Sequence, residues 1–245
     1  MFKLACMLGT TILFIIPSSQ NFLEHHKHSG ETSTQQTTLT SSPEPKKEDK
    51  AFIANVPFFQ QLPELKRGCE VTSLAMMLRY AGASVDKMTL ASEISYVPFH
   101  QNGVYGDPNE GFVGDMSAKF KPGYGVYHKP ILKLARKYFP ERALDLTGQN
   151  IQDIYTLVRL GSPVWVITNV TFKPLDESKF ETWKTNSREL KITYYEHSAV
   201  IVGYDKDFVY VNDPLATQPN TAVPRTDFEA AWEQMGKQAI ALVPK

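Results

Sequence analysis

The chain has 245 residues, with 26 basic and 26 acidic side chains and a formal net charge of zero. This balance provides no basic surface for phosphate groups, so we expect no nucleic-acid partner. A folded part of about 190–200 residues can bury about 70% of the surface of its unfolded chain, and it needs no disulfide.

Residues 1–19 are predicted to be a signal peptide or an N-terminal membrane anchor. A basic start, MFK, precedes an apolar run over residues 4–16, as in secretory signals. A helix of that length, about 20 Å, is shorter than the roughly 30 Å hydrocarbon core. No A-x-A cleavage pattern follows, so both alternatives stay open. A lipoprotein at Cys6 is excluded because Lys3 stands where an apolar residue is needed. Either alternative predicts an extracytoplasmic protein, secreted or tethered to the outer face of the cytoplasmic membrane.

Residues 20–50 are predicted to be a disordered polar linker. They are rich in Ser, Thr, Gln and charged residues and nearly free of apolar ones, so they cannot bury enough surface to offset the entropy of ordering. The HHKH stretch at 25–28 could hold a metal weakly, but nothing near it completes a site, and we interpret it as solvated linker.

The folded domain is predicted over residues 51–245 and starts with helices. After a strand-like entry at 51–60, residues 69–81 form a helix that ends before Gly82. One face of this helix is apolar and consists of Val71, Leu74, Ala75 and Leu78. A shorter helix is predicted within 85–96. Residues 97–125 contain six glycines and three prolines, which predicts a long, ordered loop that lines a cleft.

Strands dominate the second half of the domain. Helices are predicted at 129–139 and 150–161, a β-branched strand at 163–170, a hairpin at 196–213 and a last strand at 238–243. Helices first and antiparallel strands later indicate an α+β fold.

The hairpin brings His197 and Asp213 together. If its turn has an odd length and is centred on Asp205, Ala199 opposes Val211 and His197 opposes Asp213, with Cβ atoms about 4.5–5.5 Å apart. A two-residue turn would make the pair diagonal neighbours, still within reach. Both faces of the hairpin are otherwise apolar, so this polar pair must satisfy itself or face a cleft.

Cys69 is predicted at the start of the first helix. The helix dipole and free N–H groups there favour a thiolate and, like an adjacent His⁺, lower a thiol pKa from about 8.5 to about 3.5–7.5. If this helix end meets the sheet end, Cys69, His197 and Asp213 form a nucleophile, a base and its orienting group. A buried structural cysteine is the alternative for Cys69 alone. No Cys or His spacing predicts a metal, and no cofactor is expected.

Seven stretches over about residues 53–243 carry a family resemblance: NVPFFQQLPELKRGCEVTSLAMML, GDPNEGFVGD, GYGVYHKP, LTGQ, GSPVWV, EHSAVIVGYD and VYVNDP. Together they resemble the bacterial double-glycine-type, bacteriocin-processing-like cysteine peptidases of the papain-like superfamily. The resemblance implies a papain-like cysteine peptidase fold, with N-terminal helices packed on an antiparallel sheet. None of the stretches is specific alone.

The resemblance also implies roles for individual residues. Cys69 would be the nucleophile, His197 the general base and acid, and Asp213 the group that orients His197. A glutamine ahead of the cysteine would donate to the oxyanion together with the Cys69 backbone N–H. Gln61 matches this place best, and Gln60 stays open.

The chain departs from the family pattern in two respects. It lacks the transporter segments to which leader-cleaving relatives are fused, so their leader-peptide substrate is not carried over. Its long 97–125 segment is expected to reshape the cleft, with substrate contacts at Asp107, Phe112 and Tyr124.

These observations predict an exported thiol hydrolase that cleaves peptide bonds of a peptide or protein substrate and acts as a monomer. Two alternatives stay open. A transamidase or acyltransferase would use the same triad, and a non-catalytic cell-surface binding module would keep the fold without turnover.

Overall fold

The computed structural model describes residues 49–244. The predicted signal or anchor at 1–19, with Cys6, and nearly all of the predicted linker at 20–50 lie outside these residues. Within the described range, no helix is both long and apolar enough to cross a membrane.

The described residues form helices and an antiparallel sheet. The helices are α1 (Cys69–Tyr80), α2 (Lys87–Glu93), α3 (His128–Tyr138), α4 (Ile151–Arg159) and α5 (Arg225–Gln234). The strands, in chain order, are β1 (Ala51–Phe52), β2 (Tyr96–Val97), β3 (His100–Gln101), β4 (Val104–Tyr105), β5 (Phe112–Val113), β6 (Ala143–Asp145), β7 (Val164–Asn169), β8 (Glu181–Lys184), β9 (Glu189–Ile192), β10 (Glu196–Tyr204), β11 (Phe208–Asn212), β12 (Thr221–Pro224) and β13 (Ala239–Leu242). This arrangement confirms the predicted α+β class.

The main sheet has seven strands in the order β12-β11-β10-β7-β13-β6, and β1 pairs with the end of β10. Its neighbouring strands run antiparallel. Along β7, Trp165 and Ile167 pack into one hydrophobic cluster while Val164 and Val166 pack into another. Because side chains alternate across a strand, the sheet has a core on each face.

Helix α1 is buried nearly all round. The apolar face predicted from the spacing is buried and consists of Val71, Leu74, Ala75 and Leu78. The other sides, with Glu70, Thr72 and Ser73, are buried as well, because α1 contacts β7 and β10 as well as α2 and α3. The helix ends before Gly82, whose φ of +100° favours glycine.

The predicted register of the hairpin is wrong, although its two strands lie where expected. Val200 pairs with Asn212, and a bulge follows Ile201. The turn is centred between Lys206 and Asp207 and not on Asp205, since Tyr204 pairs with Val209 and the Asp205 backbone N–H donates to the Phe208 carbonyl over 2.9 Å. The Asp205 side chain also accepts the Phe208 N–H over 2.8 Å. This turn and the bulge together shift β11 along β10.

The shift changes how His197 meets Asp213. Continued past the end of β11, the observed register places Asp213 opposite Ala199, two residues from His197. The pair is therefore diagonal and not directly opposed, a geometry that long side chains can still bridge.

The 97–125 segment is ordered and contains β2, β3, β4 and β5. The hairpin of β8 and β9, which the sequence analysis did not predict, contacts it. The Trp183 ring stacks on Tyr105 with centroids 4.3 Å apart, and the Arg188 side chain pairs with Asp107 at 2.9 Å. Helix α5, equally unpredicted, packs against β7.

Candidate active site

Cys69 is the first residue of α1 and is buried, with 6% of its surface exposed. The preceding residue, Gly68, allows a close approach of the chain, because a Cβ there would lie 2.5 Å from Cβ of Leu65. Within residues 49–244 the Cys69 backbone N–H has no acceptor, as is usual in the first helical turn. It is free to bind a ligand oxygen.

Three of the four predicted catalytic residues line one cavity of about 200 Å³, namely Gln61, Cys69 and His197. The fourth, Asp213, bonds to His197 from outside this lining. The backbone of Ser198 lies close enough to the Cys69 thiol to influence its pKa. The start of α1 therefore meets β10 beside His197. This is the condition under which Cys69, His197 and Asp213 were expected to form one site.

His197 is 1% exposed and is oriented by Asp213. Its Nε2 atom lies 2.7 Å from Asp213 Oδ1, and the same Oδ1 accepts the Leu215 backbone N–H over 2.8 Å. Burial alone would raise the pKa of Asp213, but the hydrogen bond and charge of His197 hold it below the usual value. A carboxylate that accepts from Nε2–H leaves Nδ1 as the basic nitrogen of the neutral ring.

The two candidate glutamines lie in different environments. Gln61 is buried in the cavity, and its Nε2 donates to the Leu65 and Lys66 carbonyls over 3.3 Å each. Gln60 is exposed, and its Nε2 donates to the Ala216 carbonyl over 2.9 Å. Of the two, Gln61 shares the cavity with Cys69.

The environment of the thiol differs from the prediction. The Cys69 Sγ–H donates to Glu70 Oε2 over 3.3 Å. Burial and the charges of Glu70 and Glu196 raise the pKa of the thiol well above its usual value. The helix dipole was expected to lower this pKa, but the burial of the thiol and the charges of the two carboxyl groups outweigh the dipole.

Two buried carboxyl groups beside the thiol were missed from the sequence. Glu70 Oε1 accepts the Val126 backbone N–H over 2.7 Å, and burial raises the pKa of Glu70 to about 7. Burial and the charge of Glu70 raise the pKa of Glu196 well above its usual value. A signal existed for Glu196, which starts a hairpin strand that is otherwise apolar, whereas Glu70 lies outside the predicted apolar face of α1.

The three predicted substrate residues separate in the structure. Tyr124 lines the cavity with Cys69. Asp107 does not line this cavity; its side chain accepts two hydrogen bonds from Arg188 instead, 2.9 and 3.1 Å long. Phe112 is fully buried in the core around α1, since β5 turns its side chain inward.

Two aromatic residues that the sequence did not single out also lie at the site. The Phe172 ring meets the His197 ring edge to face, with centroids 6.0 Å apart. Tyr194 is 59% exposed and lines the cavity with Tyr124. Neither lies in a motif that could have singled it out.

The chain is similar to known proteins both in sequence and in structure. The family model of the Peptidase_C39 like family matches residues 53–240. The uncharacterized protein YvpB of Bacillus subtilis (strain 168) is 50% identical over 181 residues, which cover 74% of this chain and 70% of YvpB. A crystal structure described as a C39-like peptidase from Bacillus anthracis is 56% identical and superposes with a TM-score of 0.80 over 81% of this chain and 99% of that chain. The peptidase domain of Streptococcus ComA, a bifunctional ABC transporter of a quorum-sensing pathway, aligns over 78% of this chain and 99% of that domain at 15% identity, with a TM-score of 0.46.

Proposed function

The chain belongs to the Peptidase_C39 like family of cysteine peptidases, and on this premise we propose that it cleaves peptide bonds with Cys69, His197 and Asp213. The observation that carries the proposal is the 2.7 Å contact between His197 Nε2 and Asp213 Oδ1, together with the cavity that His197 and Cys69 both line. A second His–Asp contact, His128 to Asp145 at 2.9 Å, has no cysteine in its cavity lining.

The proposed reaction begins with a movement of the thiol. Cys69 Sγ leaves Glu70 and turns toward His197, whose Nδ1 accepts the thiol proton. The thiolate then attacks the carbonyl carbon of the scissile bond and forms a tetrahedral intermediate. His197 returns the proton to the leaving amine, and the acyl group remains on Cys69 as a thioester. Water, deprotonated by His197, hydrolyses the thioester and restores the thiol.

The developing oxyanion would be bound by the Cys69 backbone N–H and the Gln61 side-chain amide. Two features support this role for Gln61: it lines the cavity, and its hydrogen bonds to Leu65 and Lys66 are long, at 3.3 Å. Long bonds can be exchanged for a substrate oxygen at little cost.

We extend the proposal to the place of action and the domain organisation. The apolar run at 4–16 and the polar stretch at 20–50 support export, with the peptidase domain at 51–245 following a linker. The partner is a peptide or protein, which the cavity beside Tyr124 and Tyr194 would bind.

The test is turnover of a quenched fluorescent peptide library by the full chain. Cys69→Ala and His197→Ala should lose detectable turnover, and Gln61→Ala should lose about 10²–10³-fold in kcat. His128→Ala, at the second His–Asp contact, is the matched control and should keep wild-type turnover.

Cleavage that survives Cys69→Ala would contradict the proposal. Adding a primary amine separates hydrolysis from acyl transfer, because a transamidase would place the amine on the new carboxyl end of the peptide.

A further inference from the structure

The Cys69 thiol and the carboxyl groups of Glu70 and Glu196 form a compact buried cluster, called here the Cys-Glu-Glu cluster. One ligand atom from each lies within 4.8 Å of the others. Glu196 is 9% exposed, and its Oε1 is buried without a hydrogen-bond partner among residues 49–244. An unpartnered carboxylate oxygen that is buried needs a compensating ligand.

No basic side chain of the described residues provides that compensation. The ion pairs between residues 49 and 244 include neither Glu70 nor Glu196. The neighbouring Arg67 is already engaged, since its Nη1 donates to the Asp115 and Ala118 carbonyls. Two buried carboxyl groups without a cation must hold protons or bind a positive ion.

We propose that the Cys-Glu-Glu cluster is a binding site for one thiophilic divalent cation of the Zn²⁺ type, and that the bound ion blocks Cys69 reversibly. A sulfur and two carboxylate oxygens are ligands that Zn²⁺ accepts, at about 2.3 Å and about 2.0–2.2 Å. Thiolate favours such an ion over Mg²⁺ or Ca²⁺. On binding, the thiol proton and the protons that the two carboxyl groups hold are released to the solvent.

The cluster is closely packed against the chain on one side and can be reached from the cavity on the other. Only glycine allows the chain to pass so near both carboxyl groups at position 125, because a Cβ on Gly125 would lie 2.6 Å from Glu70 Oε1 and 2.7 Å from Glu196 Oε2. Cys69 and Glu196 both line the open cavity, which provides an entry path and a fourth coordination position for water. Small side-chain movements would bring the three ligand atoms to tetrahedral spacing.

The binding site stands on these contacts alone, whereas inhibition of turnover rests on the proposed function. The two can therefore fail separately. If Zn²⁺ binds the cluster in a protein that cleaves no peptide, the proposed function fails and the site remains.

The test is the rate at which iodoacetamide modifies Cys69 in the full, reduced and chelator-stripped chain, with and without Zn²⁺, followed by mass spectrometry of the Cys69 peptide. Zn²⁺ should slow modification at least about 10-fold, and Glu196→Gln should abolish most of this protection, since loss of even an outer partner weakens metal sites about 10–100-fold. Glu110→Gln, at an exposed glutamate, is the matched control and should keep the protection. Zinc on the HHKH stretch would leave Cys69 unprotected.

A second readout covers the case in which Cys69 reacts too slowly or a variant unfolds. Co²⁺ bound to the cluster should give a thiolate charge-transfer absorption that Cys69→Ser removes and that Glu70→Gln or Glu196→Gln weakens, each variant being checked by its thermal unfolding. Absence of both protection and absorption in the wild type would overturn the proposal and leave a carboxyl pair that holds a proton. Equal protection in Glu196→Gln would also overturn it, because the ion would then use other ligands.

Discussion

His197 is held by two side chains of different character. Asp213 accepts the Nε2–H, and the Phe172 ring packs against the imidazole from the side. Phe172 has a φ of +53°, a conformation that a bulky residue seldom adopts. The backbone is therefore strained at the residue whose ring contacts His197.

The first prediction concerns Asp213 and acid. Its pKa is lowered in the folded protein, so it contributes stability that is present above its unfolded value of about 3.9 and is lost as pH falls through the folded pKa. Asp213→Asn removes this contribution. The Tm difference between wild type and Asp213→Asn should be largest near pH 6 and should shrink toward pH 3.

Thermal unfolding monitored by circular dichroism across this pH range checks the prediction. Asp207→Asn, at an exposed aspartate with 61% of its side chain accessible, is the control and should follow the wild type. A Tm difference that grows toward pH 3 would show that Asp213 is not stabilised as its carboxylate.

At the scale of elements, the hairpin of β8 and β9 packs on the 97–125 segment through two contacts. The Trp183 ring stacks on Tyr105, and the Arg188 guanidinium donates two hydrogen bonds to Asp107. Tyr194, which lines the cavity, lies two residues after the end of β9. The hairpin therefore supports one wall of the site from outside the main sheet.

The second prediction tests the contact between Arg188 and Asp107. The Asp107 side chain is 4% exposed and that of Arg188 is 43% exposed, so Arg188→Met leaves a buried carboxylate unpaired. The free energy of unfolding should fall by about 1–3 kcal/mol, less than for a fully buried pair because water reaches the arginine. Urea unfolding measures the loss, and hydrogen exchange should quicken at 181–192.

Lys191→Met is the matched control on the same hairpin. Lys191 pairs with Glu177 at the surface, and exposed pairs contribute about 0–1 kcal/mol. If Lys191→Met lowers the free energy of unfolding as much as Arg188→Met, any positive charge on the hairpin stabilises it, and the buried contact with Asp107 has no special role.

For the whole molecule, the candidate site is the junction between a helix and a sheet. Cys69 starts α1, while His197 and Asp213 belong to the β10–β11 hairpin. Trp165 on β7 links the two parts, since its Nε1 donates to the Glu70 carbonyl over 3.0 Å. Docking of α1 on the sheet and assembly of the site are therefore the same event.

The third prediction concerns the start of the folded domain. The first strand, β1, pairs Ala51 with Tyr204 and Phe52 with Gly203, and Ile53 is buried against the α4 side of the sheet. A chain that begins at residue 49 should keep the Tm of the full chain within a few degrees, whereas one that begins at 57 should lose about 2–5 kcal/mol through the missing Ile53 and strand contacts.

Differential scanning calorimetry of the two shortened chains and the full chain provides the comparison. Equal Tm values for all three would show that β1 contributes nothing. A large loss already at residue 49 would place part of the domain in residues 1–48.

The sequence by itself determined the elements whose signals are local. The 3.6-residue spacing predicts the buried face of α1, and alternation along the hairpin predicts that Ala199 and Val211 share a face, which their common core cluster confirms. The order of the predicted elements, with helices first and antiparallel strands later, predicts the α+β class, and the motifs together predict the family. These features follow from the backbone periodicity of a helix or a strand, which each segment carries in its own residues.

The tertiary structure decided what depends on residues far apart in the chain. The turn at Asp205 and the bulge after Ile201 set the hairpin register, which no spacing rule fixes. Glu70 and Glu196 meet across 126 positions and, with burial, reverse the expected direction of the Cys69 pKa. Desolvation and through-space charge act over a few ångströms of folded protein, so only the assembled molecule specifies them.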